Sequence, residues 1–154
     1  SKHSILIGTP YFIPGKKVFP ELLAALQRGV KLEILVPSIA DHPLVKEASY
    51  KYLRKLIPLG ATVYQYEKGF YHAKTLLIDE TICDIGTTNF DKRSFYLNYE
   101  INCFMYDKRF IEQVIGLLKK DQHHARILTL EDLNHVNPWS SCKEMVAGAL
   151  SFFL

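Results

Sequence analysis

One stretch of the chain, residues 72–94, concentrates the residue types that can bind and attack an anion. On an extended strand, alternate residues share a face and lie roughly 6.6 Å apart, so His72 and Lys74 can reach the same small anion. Tyr71 and Ala73 then point the other way. An imidazole nitrogen is a nucleophile, and an ammonium group holds charged oxygens. The stretch therefore predicts a site that acts on a phosphate ester, with His72 as the nucleophile and Lys74 as a fixed cation.

A glycine at Gly86 separates this pair from a second group of polar residues. Asn89 is a candidate to donate an amide hydrogen to the phosphate, and Thr87 is a candidate to add a hydroxyl. Asn and Thr after a glycine also form ordinary turns, so the pattern supports Asn89 more strongly than Thr87.

Two motifs occupy this stretch, H-x-K-x4-D and G-x-x-N-x-D-x-R-S. Their residues are His72, Lys74, Asp79, Gly86, Asn89, Asp91, Arg93 and Ser94. Together the motifs resemble the signature of the phospholipase D superfamily. Three flanking phrases narrow the resemblance to the carboxy-terminal half of bacterial cardiolipin synthases: TPYFIP at residues 9–14, SIADHPLV at 38–45 and SFYLNYEIN at 94–102.

The resemblance implies a phosphatidyltransferase whose nucleophile, His72, forms a covalent phosphohistidine. One phosphatidylglycerol donates its phosphatidyl group and releases glycerol, and the hydroxyl of a second phosphatidylglycerol then attacks to give cardiolipin. Two alternatives remain open. One is a single-motif endonuclease or phosphodiesterase of the same superfamily acting as a homodimer, and the other is a non-catalytic half that only positions lipid or a partner.

Glu100 is predicted to begin the strand after the motifs and to orient His72 by accepting a hydrogen bond from its Nδ1, so that Nε2 keeps the lone pair. The alternative is an exposed strand carboxylate. Asp79 lies on the face opposite His72 by strict alternation, so we expect it to have a structural role.

The remaining candidates surround the motifs. Asp91, Arg93 and Ser94 resemble the scaffold of a loop, although the Arg93 guanidinium can also clamp a second phosphate or a lipid headgroup. Tyr11 is a candidate for the mouth of the pocket, with a core aromatic as the alternative. His42 is a helix-entry residue that the resemblance makes a candidate substrate contact.

The sequence contains one copy of the histidine motif. The other histidines, at positions 3, 42, 123, 124 and 135, lack its spacing. Transfer through a phosphohistidine also needs a group that protonates the leaving oxygen and deprotonates the incoming hydroxyl. The resemblance assigns that group to a second copy of the motif. We therefore expect half an active site, completed by a missing amino-terminal half of the same polypeptide or by a second copy of this chain.

Composition agrees with an anionic substrate or membrane surface, since the chain of 154 residues has a formal net charge of +3. This small excess, without an arginine–aromatic stripe, argues against a nucleic-acid partner. No His-x-x-x-His or Cys-x-x-Cys pair occurs, so we expect neither a metal nor another cofactor, with Lys74 supplying the charge. Cys83 and Cys103 lie in apolar runs and are predicted to be reduced core thiols.

Location is predicted mainly from the resemblance, which places the full-length protein at the cytoplasmic face of the bacterial inner membrane. No apolar run of this chain reaches the length of roughly 20 residues that spans a bilayer. The chain lacks an initiator methionine and is expected to be a piece of a longer protein. Residues 139–154, which end in MVAGALSFFL, are a candidate docking tail for a membrane or a partner, with packing on the domain's own helices as the alternative.

The elements predicted around these residues form one α/β domain, residues 1–154, with a mixed β-sheet flanked by helices. Short apolar runs predict strands at 4–8, 31–36, 61–66, 74–79, 82–87 and 99–106. The runs at 74–79 and 82–87 are expected to form a tight hairpin. Apolar positions at helical spacing predict one helix before Gly29, one from Pro43 to about Pro58, and one capped by Asp107.

Overall fold

The computed structural model describes residues 1–39 and 43–134. Its strands are β1 (Ser4–Gly8), β2 (Phe12–Ile13), β3 (Lys31–Pro37), β4 (Thr62–Tyr66), β5 (Thr75–Ile78), β6 (Ile82–Gly86), β7 (Phe90–Asp91), β8 (Asn102–Met105) and β9 (Ala125–Ile127). Its α-helices are α1 (Gly15–Gln27), α2 (Pro43–Leu56), α3 (Lys92–Tyr96), α4 (Lys108–Gln122) and α5 (Leu130–Asn134). A 3₁₀ turn at Ile57–Leu59 follows α2. His42 and the candidate docking tail, residues 139–154, lie outside the described residues.

A seven-stranded sheet, in the order β8-β6-β5-β1-β3-β4-β9, forms the centre of the domain. β1, β3 and β4 are parallel, because α1 and α2 provide the crossovers between them, and the other pairs in this sheet are antiparallel. β2 and β7 form a small parallel pair that joins the segment after β1 to the segment between β6 and α3. The predicted mixed sheet flanked by helices is confirmed.

Both faces of the sheet are covered, because the central strands are apolar on both sides. Ile5 and Ile7 of β1 pack with α1 and α2 on one face. Leu6, between them, packs on the other face with α4, which buries Ile111, Val114 and Leu118. Phe110 and Leu117 belong to the same apolar pattern of α4, but they are 37% and 64% exposed, because the buried stripe of this helix is narrower than that pattern.

Both strands of the predicted hairpin are shorter in the structure: β5 begins after Lys74 and ends before Asp79, and β6 ends before Thr87. Ile78 pairs with Ile82, so Asp79 belongs to the turn and is not the last residue of the strand. Asp79 and Glu80 both have φ of 53°, a left-handed conformation that Asp tolerates. The Asp79 carboxylate accepts hydrogen bonds from the backbone N–H groups of Lys2, His3 and Ser4, at 2.7, 2.7 and 2.8 Å, which hold the turn against the start of β1.

The strand predicted at residues 99–106 is shorter in the structure. β8 begins at Asn102, and Glu100 lies before it, because residues 97–101 form the exit from α3. The sequence also predicts a buried Cys103, but its side chain is exposed, because it lies on the edge strand β8. Cys83, on the neighbouring strand β6, is buried as predicted. No helix in the part of the chain that the structure describes combines the length and the apolarity needed to span a bilayer.

Candidate active site

His72 and Lys74 lie in the segment that leads into β5. Tyr71, between β4 and β5, is 5% exposed and packs against Tyr66 at a ring separation of 5.5 Å. Its hydroxyl fills the space beside Gly8, where a Cβ would collide with it. Because the Tyr71 side chain points into the core, the side chain of the next residue, His72, faces solvent, as the alternation of an extended segment predicts.

The nucleophile and the cation are in contact. The Lys74 Nζ atom lies 3.0 Å from Nδ1 and 3.3 Å from Nε2 of His72, and it donates a hydrogen bond of 3.0 Å to the His72 carbonyl oxygen. The Phe70 ring stacks on the imidazole, with 5.2 Å between the ring centroids and an interplanar angle of 29°. One small anion can therefore contact both the imidazole nitrogen and the ammonium group.

A second polar pair forms at the end of β6. Gly86 is packed so tightly against the Ile101 carbonyl and the Asn102 side chain that any Cβ would collide with them. Thr87, the next residue, donates its hydroxyl hydrogen to Glu100 and accepts one from the Ile101 N–H at 3.0 Å. The glycine therefore brings the Thr87 hydroxyl and the Glu100 carboxylate together.

The Glu100 carboxylate is held in its ionised form. It accepts hydrogen bonds from the Thr87 hydroxyl and, at 3.0 Å, from the Asn98 amide. Desolvation opposes ionisation, but these hydrogen bonds and the charge of Lys74 outweigh it and lower the pKa of Glu100. Its described hydrogen bonds do not go to His72, so Glu100 contributes a negative charge near the site without the predicted direct bond.

Asn89 and Asp91 form the loop that follows. The Asp91 carboxylate caps α3 by accepting the Ser94 N–H at 2.7 Å, and burial raises its pKa although hydrogen bonds from Ser94 and Asn89 oppose the shift. The Asn89 Oδ1 atom is buried without a hydrogen-bond partner among the described residues. The side chain of Asn89 thus hydrogen-bonds to Asp91.

Two other candidates, Tyr11 and Arg93, have their own contacts in the structure. Tyr11 packs with the small cluster of Ile13, Val45 and Ala48, which favours the core alternative over the pocket mouth. Arg93 is exposed, and its Nε donates to the Asn98 side chain at 3.2 Å.

A cavity of about 60 Å³ lies next to Lys74 and contains a hydrogen-bonded chain that the sequence analysis missed. The Asn102 amide donates to both oxygens of Asp84, at 2.9 and 2.8 Å, and its carbonyl accepts from the Thr88 hydroxyl at 2.6 Å. Burial raises the pKa of Asp84. One sequence signal points to this chain of hydrogen bonds: Asp84 lies inside the apolar run ICDIG, and a buried carboxylate needs a polar partner.

Among residues 1–39 and 43–134, no group of three or more His, Cys, Asp and Glu side chains is arranged to hold a metal ion. The chemistry that this geometry supports on its own is nucleophilic attack by His72 on an anionic centre, with the Lys74 ammonium at its side.

Comparison with known proteins identifies the family of this chain. Residues 1–122 match the family described as "Cardiolipin synthase, PLD-like domain". The minor cardiolipin synthase ClsB of Bacillus subtilis is 40% identical over the whole chain, which spans 39% of the length of that relative.

Two solved structures share the fold at low sequence identity. Phosphatidylserine synthase of Haemophilus influenzae superposes with a TM-score of 0.80 at 18% identity, covering 99% of this chain and 42% of that one. Nuc of Salmonella typhimurium, a phospholipase D family member, superposes with a TM-score of 0.71 at 19% identity, covering 83% of each chain. The chain belongs to the phospholipase D-like domain family of cardiolipin synthases.

Proposed function

We propose that this chain, as one domain over residues 1–154, supplies one half of the active site of a cardiolipin synthase-type phosphatidyltransferase. The observation that carries the proposal is the contact between Lys74 Nζ and both ring nitrogens of His72, at 3.0 and 3.3 Å. The 40% identity to a cardiolipin synthase supports the choice of a phosphatidyl donor. Phosphatidylglycerol is the proposed donor and acceptor.

The proposed reaction has two displacements at phosphorus. First, the Nε2 lone pair of His72 forms a P–N bond while the P–O bond to the leaving glycerol breaks, and the glycerol oxygen takes a proton from an acid. Second, the hydroxyl oxygen of the acceptor lipid forms a new P–O bond, the P–N bond breaks, and the acceptor proton passes to a base. Lys74 stabilises the negative oxygens in both steps.

A partner that carries the second histidine supplies this acid and base. The open edge of the sheet supports such a partner. The side chains of Tyr99, Ile101, Phe104 and Tyr106, on β8 and close to it in the chain, are 106%, 73%, 60% and 69% exposed. Apolar side chains on an edge strand without a neighbour among the described residues favour pairing with another chain or domain. The relatives' greater length supports an additional domain of the same polypeptide as that partner, with a second copy as the alternative.

The proposed location of the whole protein is the cytoplasmic face of the bacterial inner membrane, where its lipid substrate resides. The alternative activity, a homodimeric endonuclease or phosphodiesterase, has only a fold similarity in its support. Salt dependence separates the two, because nuclease binding to DNA weakens steeply with salt as counterions are released.

The test is to trap the phosphohistidine in the assembled enzyme. Enzyme mixed with phosphatidylglycerol that is labelled at phosphorus is quenched in alkaline detergent, because P–N bonds hydrolyse in acid, and the labelled peptide is identified by mass spectrometry. We expect label on His72 and none in His72→Asn. His123→Asn, a matched change of an exposed histidine, retains the label. Turnover without label on His72 rules out the mechanism.

A further inference from the structure

A mixed basic and apolar patch lies beside the candidate site, at the junction of α1 and α3. We name it the basic platform and define it as Lys16, Lys17, Lys92, Tyr96 and Leu97. Tyr96 and Leu97 are 49% and 52% exposed, and the Lys17 Nζ atom lies 5.4 Å from the centroid of the Tyr96 ring. Lys17 and Tyr96 therefore share one surface, and the exposed Leu97 follows Tyr96 directly in the chain.

The cations of the platform are close to one another. The Lys92 side chain crosses the start of α1, where a Cβ on Gly15 would lie 2.9 Å from the Lys92 Cγ atom. Burial, then repulsion from Lys16 and Lys51, lowers the pKa of Lys92. The first turn of α1 contains no acidic residue. Lys16 and Lys17 are exposed, so the platform presents adjacent positive charges that an anionic surface complements.

The platform also adjoins the residues proposed for catalysis. α3 follows Asp91 directly, and Leu97, which comes after α3, precedes Asn98. The Asn98 amide donates to Glu100 at 3.0 Å, and Glu100 in turn accepts from Thr87. A surface that binds the platform is therefore held next to the site.

We propose that the basic platform docks this domain on an anionic lipid bilayer, with Tyr96 and Leu97 entering the headgroup region and Lys16 and Lys17 contacting lipid phosphates. The proposal rests on the proposed function, since it gives a bilayer-embedded substrate a way to reach His72. Amphipathic aromatics beside lysines are typical of interfacial binding surfaces. Protein–protein interfaces are instead depleted in lysine. We therefore assign the β8 edge, which contains no lysine, to a protein partner, and the platform to the bilayer.

The first experiment measures partition of the 154-residue chain onto vesicles of phosphatidylglycerol and phosphatidylcholine by co-sedimentation. Each lysine near an anionic surface is worth about 1 kcal/mol, so we expect Lys16→Gln/Lys17→Gln to weaken binding about 30-fold. Lys119→Gln/Lys120→Gln is the matched control. Both pairs reduce the formal charge from +3 to +1, but the second lies at the end of α4, outside the platform, and we expect it to retain most of the binding.

The second experiment tests the apolar part. We expect Leu97→Ser to weaken vesicle binding about fivefold, whereas Leu117→Ser, on the exposed face of α4, leaves it unchanged. Because all these positions are exposed or at the surface, thermal melts of the variants should match the wild type. Vesicles of pure phosphatidylcholine, and competition by excess inorganic phosphate, distinguish a bilayer from a free-anion site.

Each outcome decides the proposal. The proposal is supported if the platform variants bind vesicles more weakly and the α4 control variants do not. It is overturned if both lysine pairs lose vesicle binding equally, if vesicle binding is unchanged in the platform variants, or if inorganic phosphate abolishes vesicle binding. Vesicle binding that survives while the platform variants fail to assemble with the partner domain assigns the surface to protein contact instead. The readout requires no turnover, so a His72→Asn chain that still binds separates this inference from the proposed function.

Discussion

The two ends of the β5–β6 hairpin both contain residues of the family motif, but these residues make different kinds of contact. At one end, Lys74 contacts His72, and Thr87 contacts Glu100, all at an exposed or half-buried surface. At the other end, roughly 16 Å away along the strand, Asp79 binds three backbone N–H groups of the chain's first residues. We infer that the motif joins a chemical end, where the proposed reactive groups lie at the surface, to a structural end, which fixes the strand that presents them.

The largest expected effect contrasts His72→Asn with Asp79→Ala. Loss of a nucleophile removes the covalent route, so we expect turnover of the assembled enzyme to fall about 10⁴-fold or more without a change in melting temperature. Asp79→Ala leaves three N–H groups without their acceptor, so it should lower the melting temperature while the folded fraction keeps most of its turnover. Turnover per folded molecule and thermal melts check both. Equal losses of turnover would show that the two ends do not divide their roles.

The glycines of the hairpin and of α4 give the next contrast. A Cβ on Gly86 would collide with the Ile101 carbonyl and the Asn102 side chain, so Gly86→Ala should shift the Thr87–Glu100 pair and reduce turnover about 100-fold. Gly116→Ala, in the interior of α4 with no atom within 4 Å of the new Cβ, should stabilise the helix by about 1 kcal/mol. Denaturant unfolding and turnover measure both. Wild-type turnover in Gly86→Ala contradicts a tightly positioned chemical end.

Two threonines, one at each end of the hairpin, provide a smaller and sharper contrast. Thr87→Val removes a hydrogen bond that lowers the pKa of Glu100, so that pKa should rise and turnover should fall about tenfold. Thr81→Val removes only a 3.3 Å bond to the Ile78 carbonyl at the structural end and should leave turnover unchanged. The acidic limb of the pH–rate profile is the measurement. An unshifted limb in Thr87→Val separates Glu100 from the reaction.

Acid titration gives the smallest effect and tests the structural end alone. Hydrogen bonds from Ser4, His3 and Lys2 lower the pKa of Asp79 to about 2. Because the folded pKa lies below the unfolded value of about 3.9, this contribution to stability is complete above pH 4 and is lost as the pH falls through about 2. The melting temperature of the wild type should therefore fall more steeply than that of Asp79→Asn over this range. Parallel curves contradict the assignment; Asp132, whose pKa is also lowered to about 2, contributes equally to both.

Much of the fold was predictable because its elements are locally encoded. The apolar run SILIG, the Asp107 cap and the stop at Gly29, which has φ of 82°, give β1, the start of α4 and the end of α1. Elements that depend on distant partners were missed. β2 and β7 are two residues each and exist only because they pair with one another, and β9 depends on β4. Short pairings of this kind leave no periodic pattern in the sequence.

The sequence by itself determined which residues are available for chemistry, because His72 and Lys74 are close in the chain and any extended backbone brings them together. It also determined the hairpin that presents them. Only the tertiary structure decided the hydrogen bonds around the site. Glu100 accepts from Thr87 and Asn98, Asp91 accepts from Asn89, and Asp84 accepts from Asn102. The Thr87–Glu100 and Asp84–Asn102 contacts join residues that are 13 and 18 positions apart, and their geometry depends on how the edge strand β8 packs beside β6, which local propensity does not specify.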